Sequence, residues 1–301
     1  MLLGLHTYSL NLHGIGQKGW AGGFTLPWSR QLSTFELMDL AVRLDLDGLH
    51  LDDGVLETLE RSFLEEVRAA AQERNLYIEY NFSLDIGNFG IGIQNNLEEA
   101  ITISHILGAD IIKMSMDLRR PRPVTASRFS PEVMEKITLV SEKLKQSIPS
   151  AEAAGIKIAI ENHCDSYSDE ILWLLDKVNH PVVGACIDTV NALHVMEAPM
   201  TAIQNLTPRA YTNHFRDNKI VFERYGFTLT GTPVGEGDID MKKAYELFKT
   251  QSTMRRINIE TDVNIPLDNM ETALRMEMEV LERSIRYCRD ILEIKREAVD
   301  K

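Results

Sequence analysis

The stretch Lys157–Asn162 reads KIAIEN, an apolar run of the kind found in strands covered on both faces, and it ends in a carboxylate and an amide. Three later segments follow the same plan, a short β-type run that finishes in ionisable residues. They are Val183–Thr189 (VGACIDT), Tyr211–Asp217 (YTNHFRD) and Ile257–Asp262 (INIETD). Longer helical stretches separate them, which is typical of βαβ units and therefore predicts parallel strands.

Four earlier segments extend this alternation to eight strands. They are Leu2–Ser9, Gly48–Asp53, Tyr77–Ser83 and Ile111–Met116. No hairpin signal such as Asn-Gly separates one strand from the next, so we expect no antiparallel pairing. Eight strand–helix pairs in this order predict a (β/α)₈ TIM barrel. An open, doubly wound α/β sheet is the alternative, but such sheets normally have fewer strands.

Helix boundaries support the same order of elements. Ser33 and Glu36 form a capping box in front of an apolar-periodic segment. Asn95 or Asn96 is predicted to cap a further helix, which ends at Gly108. Helices therefore begin and end between the predicted strands, as a barrel requires.

The length of 301 residues suits one barrel, and we expect a single domain over residues 1–301. Two features exceed the minimal barrel. The first βα loop, about residues 10–33, is long and rich in glycine and tryptophan. A C-terminal helix, about residues 268–298, carries a narrow apolar stripe that is predicted to pack on the barrel or, alternatively, on a partner helix in a homo-oligomer.

Composition limits the class of protein. A formal net charge of −13 disfavours nucleic acid as a partner, because phosphate backbones are bound mainly by Lys and Arg. The three cysteines are far apart and form no CxxC pair, which predicts a reducing compartment. The N-terminus lacks the pattern of a signal peptide, and no apolar run approaches about 20 residues. We therefore expect a cytoplasmic protein with no membrane partner.

The C-terminal ends of barrel strands converge on the active site. The four later strands place Glu161, Asp188, His214 and Glu260 at those ends. Three carboxylates and one imidazole form a ligand set suited to a hard divalent cation. Without a cation, like charges at close range could not all stay ionised. The sequence therefore predicts one divalent metal ion, with Mn²⁺ as the first choice and Mg²⁺ or Co²⁺ as alternatives.

Five segments in order carry a resemblance to a known family. They are IAIENH (Ile158–His163), GACIDTVNAL (Gly184–Leu193), NHFRDNK (Asn213–Lys219), GEGDID (Gly235–Asp240) and INIETD (Ile257–Asp262). Together they resemble the xylose isomerase-like TIM barrels. That superfamily includes sugar and sugar-phosphate isomerases, ketose 3-epimerases, inosose dehydratases and an endonuclease branch.

The resemblance implies that the four residues above are the metal ligands, and that Glu161 and Glu260 act as the acid/base pair on opposite faces of the substrate. His163 is two residues beyond Glu161 and is predicted to be an additional acid or base, or a hydrogen-bond partner of the site. Two positions depart from the family pattern, Val190 where a glycine is frequent and Arg216 where a lysine is frequent.

Four residues are predicted to bind substrate: Arg216, Lys113, Asn191 and Trp20. Arg216 is suited to a carboxylate, phosphate or hydroxyl, and its alternative role is a salt bridge to Asp188 or Glu161. Trp20 belongs to the long first loop, which we expect either to close over a sugar ring or to pack on a neighbouring subunit.

The function predicted first is an isomerase or epimerase that moves a proton on a sugar or keto-sugar through an enediolate. The alternative is a lyase or dehydratase that uses the same site on a keto-sugar, inosose or 3-oxo-glycoside. A third hypothesis is an endonuclease-like phosphoesterase, for which His6, His50, Glu79 and Asp110 could supply extra ligands. A fourth is a sugar-binding barrel without catalysis.

Overall fold

The apolar runs predicted as strands form the centre of the fold. The computed structural model describes residues 1–15, 26–90, 95–263 and 268–295. Eight parallel strands make one sheet, and all their neighbouring pairs are parallel. In chain order these strands are β1 (Leu2–His6), β2 (Gly48–Asp52), β3 (Tyr77–Ser83), β4 (Ile111–Ser115), β5 (Lys157–Glu161), β6 (Val183–Asp188), β7 (Ala210–His214) and β10 (Arg256–Ile259).

Helices follow the strands and cover the outside of the sheet, where their apolar faces and the outward strand residues form one continuous core. Described helices are α1 (Thr34–Arg43), α2 (Arg61–Glu73), α3 (Leu97–Leu107), α4 (Pro131–Ala154), α5 (Ser168–Val178), α6 (Pro199–Leu206), α7 (Met241–Gln251) and α8 (Met270–Arg286). Within the described ranges, none of the helices is long and apolar enough to cross a bilayer.

The predicted helix caps are present. The Ser33 side chain accepts from the Glu36 amide while the Glu36 carboxylate accepts from the Ser33 amide, so the capping box is confirmed. Of the two asparagines considered for α3, Asn96 is the cap, and Gly108 ends the helix in the left-handed conformation.

The sheet closes on itself between β7 and β10. The Phe215 amide donates to the Asn258 carbonyl at 2.8 Å, and the Glu260 amide donates to the Phe215 carbonyl at 3.2 Å. β10 also pairs with β1. The (β/α)₈ barrel is therefore confirmed, and the open doubly wound sheet is wrong.

The expectation that no strands pair in antiparallel fashion is also wrong. After β7 the chain forms a two-stranded hairpin of β8 (Asp217–Glu223) and β9 (Gly226–Thr232). Its two-residue connection, Arg224-Tyr225, has no Asn-Gly signature, which is why the hairpin was missed. The seventh predicted strand thus ends at His214 instead of Asp217. The first and eighth also end earlier than predicted, at His6 and Ile259.

The apolar stripe of the C-terminal helix packs on the barrel. Leu281, Ile285, Cys288 and Leu292 are buried in the main core, and Met278 packs against it. A π-helical turn, Tyr287–Ile291, follows α8 directly. The predicted packing is confirmed for these residues, while the homo-oligomer stays a prediction.

A buried polar network crosses the inside of the barrel below the strand ends. Glu79 on β3 is fully buried and binds residues from three other strands. Its carboxylate lies 3.0 Å from His50 Nδ1, accepts from Thr212 Oγ1 at 2.6 Å and from Asn258 Nδ2 at 3.1 Å, and pairs with Arg256 Nη1 at 3.1 Å. Because every bond joins different strands, this carboxylate ties opposite sides of the barrel together.

We predict that Glu79→Ala lowers the free energy of unfolding by about 3–5 kcal/mol, since it leaves the buried polar groups of His50, Thr212 and Asn258 without their shared partner. Denaturant unfolding at pH 7 measures this loss. Burial alone would raise the pKa of Glu79, but His50 and Arg256 lower it to about 2. The stabilisation is therefore present above about pH 4.5 and decreases as the pH falls towards 2.

The matched control is Glu65→Gln, which breaks an exposed i,i+4 pair with Arg61 and should change stability by less than about 0.5 kcal/mol. Equal stability of the Glu79→Ala variant and the wild type at pH 7 would contradict the role given to this network.

Candidate metal centre and active site

Four predicted ligands meet at one end of the barrel. Glu161, Asp188 and His214 are the last residues of β5, β6 and β7, and Glu260 directly follows β10. All four side chains are at least 90% buried. Parallel strands end at the same edge of the barrel, so consecutive strand ends place these groups around one point.

The distances bring the four groups into one cluster. His214 Nδ1 lies 3.0 Å from Glu161 Oε1, 3.0 Å from Glu260 Oε2 and 4.0 Å from Asp188 Oδ2. The ligand atoms of Glu161, Asp188 and His214 are all within 4.8 Å of one another. Glu260 joins this set through its contact with His214.

The donor set fits a divalent cation. One oxygen of each carboxylate (Glu161 Oε2, Asp188 Oδ2 and Glu260 Oε2) is buried, and the described side chains that approach these oxygens are Lys113, Arg216, His214 and His6. Buried carboxylate oxygens require a cation or donors, and oxygen ligands with one imidazole suit Mn²⁺, Mg²⁺ or Co²⁺. These three carboxylate oxygens are therefore the ones that would hold an ion.

Two basic side chains also approach these carboxylates. Lys113 Nζ lies 2.5 Å from Glu161 Oε2. Arg216 Nε lies 3.1 Å from Asp188 Oδ2, and Arg216 Nη1 lies 3.3 Å from Glu260 Oε1. The salt bridge considered for Arg216 therefore exists with Asp188, together with a second one to Glu260. Both bases lie where they can also reach a substrate.

The pKa values of the four proposed ligands shift in different directions. Burial would raise the pKa of Glu161, but Lys113 and His214 hold it well below its ordinary value. Burial likewise opposes ionisation of Glu260, yet Arg216 lowers its pKa. For Asp188 burial prevails and raises the pKa. Burial would lower the pKa of His214, whereas the two glutamates raise it to about 9.

Asn191 positions the cluster from the loop after β6. Its amide nitrogen donates to Asp188 Oδ1 at 2.7 Å, and its side-chain nitrogen donates to Glu161 Oε1 at 3.3 Å. Its side-chain oxygen accepts from Arg216 Nη2 at 2.5 Å. Asn191 lines the same pocket as Glu161, His214 and Glu260. Its contacts support a positioning role, and its predicted contact with substrate stays a prediction.

His163 lies at the rim of the cluster. Its Nδ1 is 2.8 Å from Asp117 Oδ1, and the side chain is 22% exposed. Burial opposes its charge, but neighbouring negative groups, Glu161 and Asp117 among them, raise its pKa well above the ordinary value. It therefore faces the pocket and is held by an acid behind it. Trp20 lies outside the described residues.

The early strands contribute pocket residues that were not predicted as part of this site. His6 ends β1, Asp52 ends β2 and Asn81 is on β3. His6 Nδ1 lies 3.3 Å from Glu260 Oε2, and His6 Nε2 lies 3.1 Å from the Asn81 amide. The available signal was their position at strand ends, the same as that of the later ligands.

His214 makes a second set of contacts through its other ring nitrogen, Nε2. The His214 and His50 rings face each other with their Nε2 atoms 3.5 Å apart. His50 Nδ1 in turn lies 3.0 Å from Glu79 Oε2. If His50 Nδ1 carries the proton donated to Glu79, then His50 Nε2 accepts the proton of His214 Nε2. That arrangement directs Nδ1 of His214 to the carboxylates, where it would bind a cation once its proton is displaced.

The pocket enclosed by these groups, called here the central pocket, has a volume of about 270 Å³. It is lined by His6, Tyr8 and Asp52 from the first two βα units, the four predicted ligands except Asp188, and Lys113 and Arg216. This volume is near the lower end of the range of about 300–1,000 Å³ for small-molecule sites. A pocket of this size and polarity suits a small polyhydroxylated molecule.

Comparison with known proteins places the chain in a family. The model of the xylose isomerase-like TIM barrel family matches residues 35–290, and the chain belongs to that family. A curated relative, the 3-oxo-isoapionate decarboxylase of Pectobacterium atrosepticum, is 22% identical over 211 residues, which cover 69% of this chain and 68% of the relative. The family resemblance inferred from the five motifs is confirmed.

Solved structures share the fold. The 3-keto-D-glucoside 4-epimerase YcjR from E. coli superposes with a TM-score of 0.62 at 16% identity, covering 93% of this chain and 98% of that one. A xylose isomerase-like protein from Mycobacterium smegmatis, solved in complex with magnesium, gives a TM-score of 0.61 at 15% identity and covers 94% and 97%. Relatives of this fold thus include enzymes and a magnesium complex.

We predict that His50→Gln weakens binding of a divalent ion by about 10- to 100-fold, because it disturbs the partner that orients the His214 ring. Calorimetric titration of the apo protein with Mn²⁺ measures this change. His180→Gln, a half-buried histidine paired with Glu152, is the matched control and should leave the affinity unchanged. Unaltered affinity in a folded His50→Gln variant would show that His50 does not position the ligand.

Proposed function

We propose that this protein is a divalent-metal-dependent enzyme that moves a proton at a carbon next to the carbonyl of a sugar or keto-sugar, as an isomerase or epimerase. The observation that carries the proposal is the cluster of three buried carboxylates, Glu161, Asp188 and Glu260, that surround His214 Nδ1 at the strand ends. Membership of the xylose isomerase-like family supports the same class of substrate.

A divalent cation held by Glu161, Asp188, His214 and Glu260 would polarise a substrate carbonyl and its neighbouring hydroxyl and stabilise an enediolate. The chain's own residues supply the proton transfer. Glu161 on β5 and Glu260 after β10 approach His214 Nδ1 from different strands, each at 3.0 Å. One carboxylate removes the proton from carbon, and the other returns a proton to the opposite face.

Lys113 and Arg216 favour the ionised form of whichever carboxylate acts as the base, and the other carboxylate returns a proton only in its protonated form. Lys113 Nζ contacts Glu161, and Arg216 Nη1 contacts Glu260. An ionised carboxylate is the form that accepts a proton from carbon, so each base has its own cationic partner. Lys113 and Arg216 also line the central pocket and can donate hydrogen bonds to substrate oxygens.

We predict that the apo protein binds one Mn²⁺, Mg²⁺ or Co²⁺ ion per chain and that Asp188→Asn lowers its affinity by about 100-fold or more, since loss of a ligand exceeds the 10- to 100-fold effect of an outer partner. Titration calorimetry and elemental analysis measure affinity and stoichiometry. Asp169→Asn, which removes a carboxylate paired with Arg128 near the surface, is the control. A ligand variant that binds metal as the wild type does would contradict this assignment.

A lyase is the second candidate function. Arg216 is a buried cation that faces the pocket, and it contacts the proposed base Glu260 as well as Asp188. A carboxylate on the substrate could bind there, and loss of CO₂ would leave its bonding electrons on the carbon next to the carbonyl. The relative named as a decarboxylase supports this alternative, in which a proton then adds to that carbon.

Incubation of the metal-loaded protein with a panel of keto-sugars and keto-aldonates in D₂O separates the two reactions. We predict that an isomerase or epimerase returns sugar deuterated at the reacting carbon, whereas a lyase releases water, CO₂ or an aglycone. Glu260→Gln should slow exchange by at least about 100-fold, because it removes a base. Glu246→Gln, an exposed glutamate paired with Lys249, should not. If no member of the panel shows deuterium exchange or product release, the proposed function is wrong.

A further inference from the structure

A second and larger cavity opens beside the central pocket. Its volume is about 580 Å³, and we call it the side cavity. The two share His163, Cys164 and His194, so a ligand in one can extend into the other. Its outer wall comes from the loops after β3, β4 and β6. It includes Phe89, Leu118, Arg119, Arg122, Val124 and Val195.

Hydrogen bonds hold this wall in place. The Asp85 carboxylate accepts from the amides of Phe89 and Gly90, each at 2.7 Å, and so positions the Phe89 ring. On the facing loop, Arg120 binds the buried Glu170 in a bidentate pair, at 2.8 and 2.9 Å. That pair anchors the segment that carries Arg119 and Arg122 to the start of α5.

Most charges around the side cavity are compensated. The Asp117 carboxylate pairs with His163 and accepts from Ser115 Oγ at 2.7 Å. Arg120 is neutralised by Glu170. Asp165 accepts from the Leu118 amide and from Ser166, and burial together with the charge of Asp117 raises its pKa to about 6. These groups contribute little net charge to the cavity.

Two arginines on the wall of the side cavity lack such charge compensation among the described residues. The Arg119 guanidinium lies 4.5 Å from the Phe89 ring centroid and donates to the Asn88 carbonyl, but it contacts no carboxylate in the described part of the chain. Arg122 is exposed and makes neither an ion pair nor a hydrogen bond with a described residue. In a chain with a net charge of −13, two uncompensated guanidinium groups on one cavity wall attract an anion.

We propose that the side cavity binds an anionic substituent of the substrate, a carboxylate or a phosphate, through Arg119 and Arg122, while the reacting carbons lie in the central pocket. This inference rests on the proposed function for the reacting end of the substrate. Stacking on Phe89 holds the Arg119 guanidinium in place, which reduces the entropy lost on binding. The substrate class is therefore an acidic keto-sugar, either a keto-aldonate or a sugar phosphate, that spans both cavities past His163.

Matched ligands test the proposal. Calorimetry with the metal-loaded protein compares D-fructose with 5-keto-D-gluconate and with D-fructose 6-phosphate. We expect at least one anionic member to bind about 10-fold or more tighter than D-fructose, with an affinity that decreases as NaCl is added. Preference for the keto-acid assigns a carboxylate, and preference for the phosphate ester assigns a phosphoryl group.

The double variant Arg119→Gln/Arg122→Gln should lose this preference while its affinity for D-fructose is unchanged. Arg74→Gln, a surface arginine paired with Asp39 on α1, is the control and should retain it. Equal affinity of the wild type for all three ligands, or an anion preference that survives the double variant, would overturn the proposal.

The two proposals fail separately. Anion preference that depends on the two arginines, without deuterium exchange or product release, retains the side-cavity subsite and removes the proposed reaction. Exchange on a neutral keto-sugar without anion preference retains the reaction and removes the subsite.

Discussion

Repulsion among Glu161, Asp188 and Glu260 is the constraint on which the arrangement of the strand ends depends. Three buried carboxylates within reach of one imidazole cannot all be ionised unless positive charge lies among them. The chain supplies Lys113 on one side and Arg216 on the other, and His214 in the middle. A divalent ion would add further positive charge at the buried oxygens of these three carboxylates. Positive charge in the pocket is therefore what allows the three carboxylates to lie so close together.

The same constraint extends into the interior of the barrel. His214 can present Nδ1 to the carboxylates only if its other nitrogen has a partner, and His50 lies at that nitrogen. His50 is itself held by Glu79, whose remaining bonds reach β7 and β10. The residues that stabilise the closed barrel thus also orient a proposed metal ligand, so stability and ligand geometry are coupled through one buried network.

The later half of the barrel was predictable because chemistry and periodicity coincide there. Glu161 and Asp188 end two strands with clear apolar runs, His214 ends the more polar β7, and strand ends converge in any barrel. His6 carried the same signal, a position at a strand end, but it was assigned only to the phosphoesterase hypothesis, and its contact with Glu260 depends on barrel closure, which brings β1 beside β10. The hairpin after β7 was missed because Arg224-Tyr225 is not a typical turn pair.

An enolate next to a carbonyl, formed by loss of a proton or of CO₂, is common to epimerisation, elimination and decarboxylation, so the bases alone do not decide the outcome. The outcome depends on which bond of the bound substrate is positioned to break and on whether a proton can then return to the carbon. An uncommitted negative charge on the substrate would be attracted both to Arg216 beside Glu260 and to the arginines of the side cavity. An acidic group bound in the side cavity is held away from the reacting carbons and favours proton return. An acidic group bound at Arg216 lies beside the base and favours loss of CO₂.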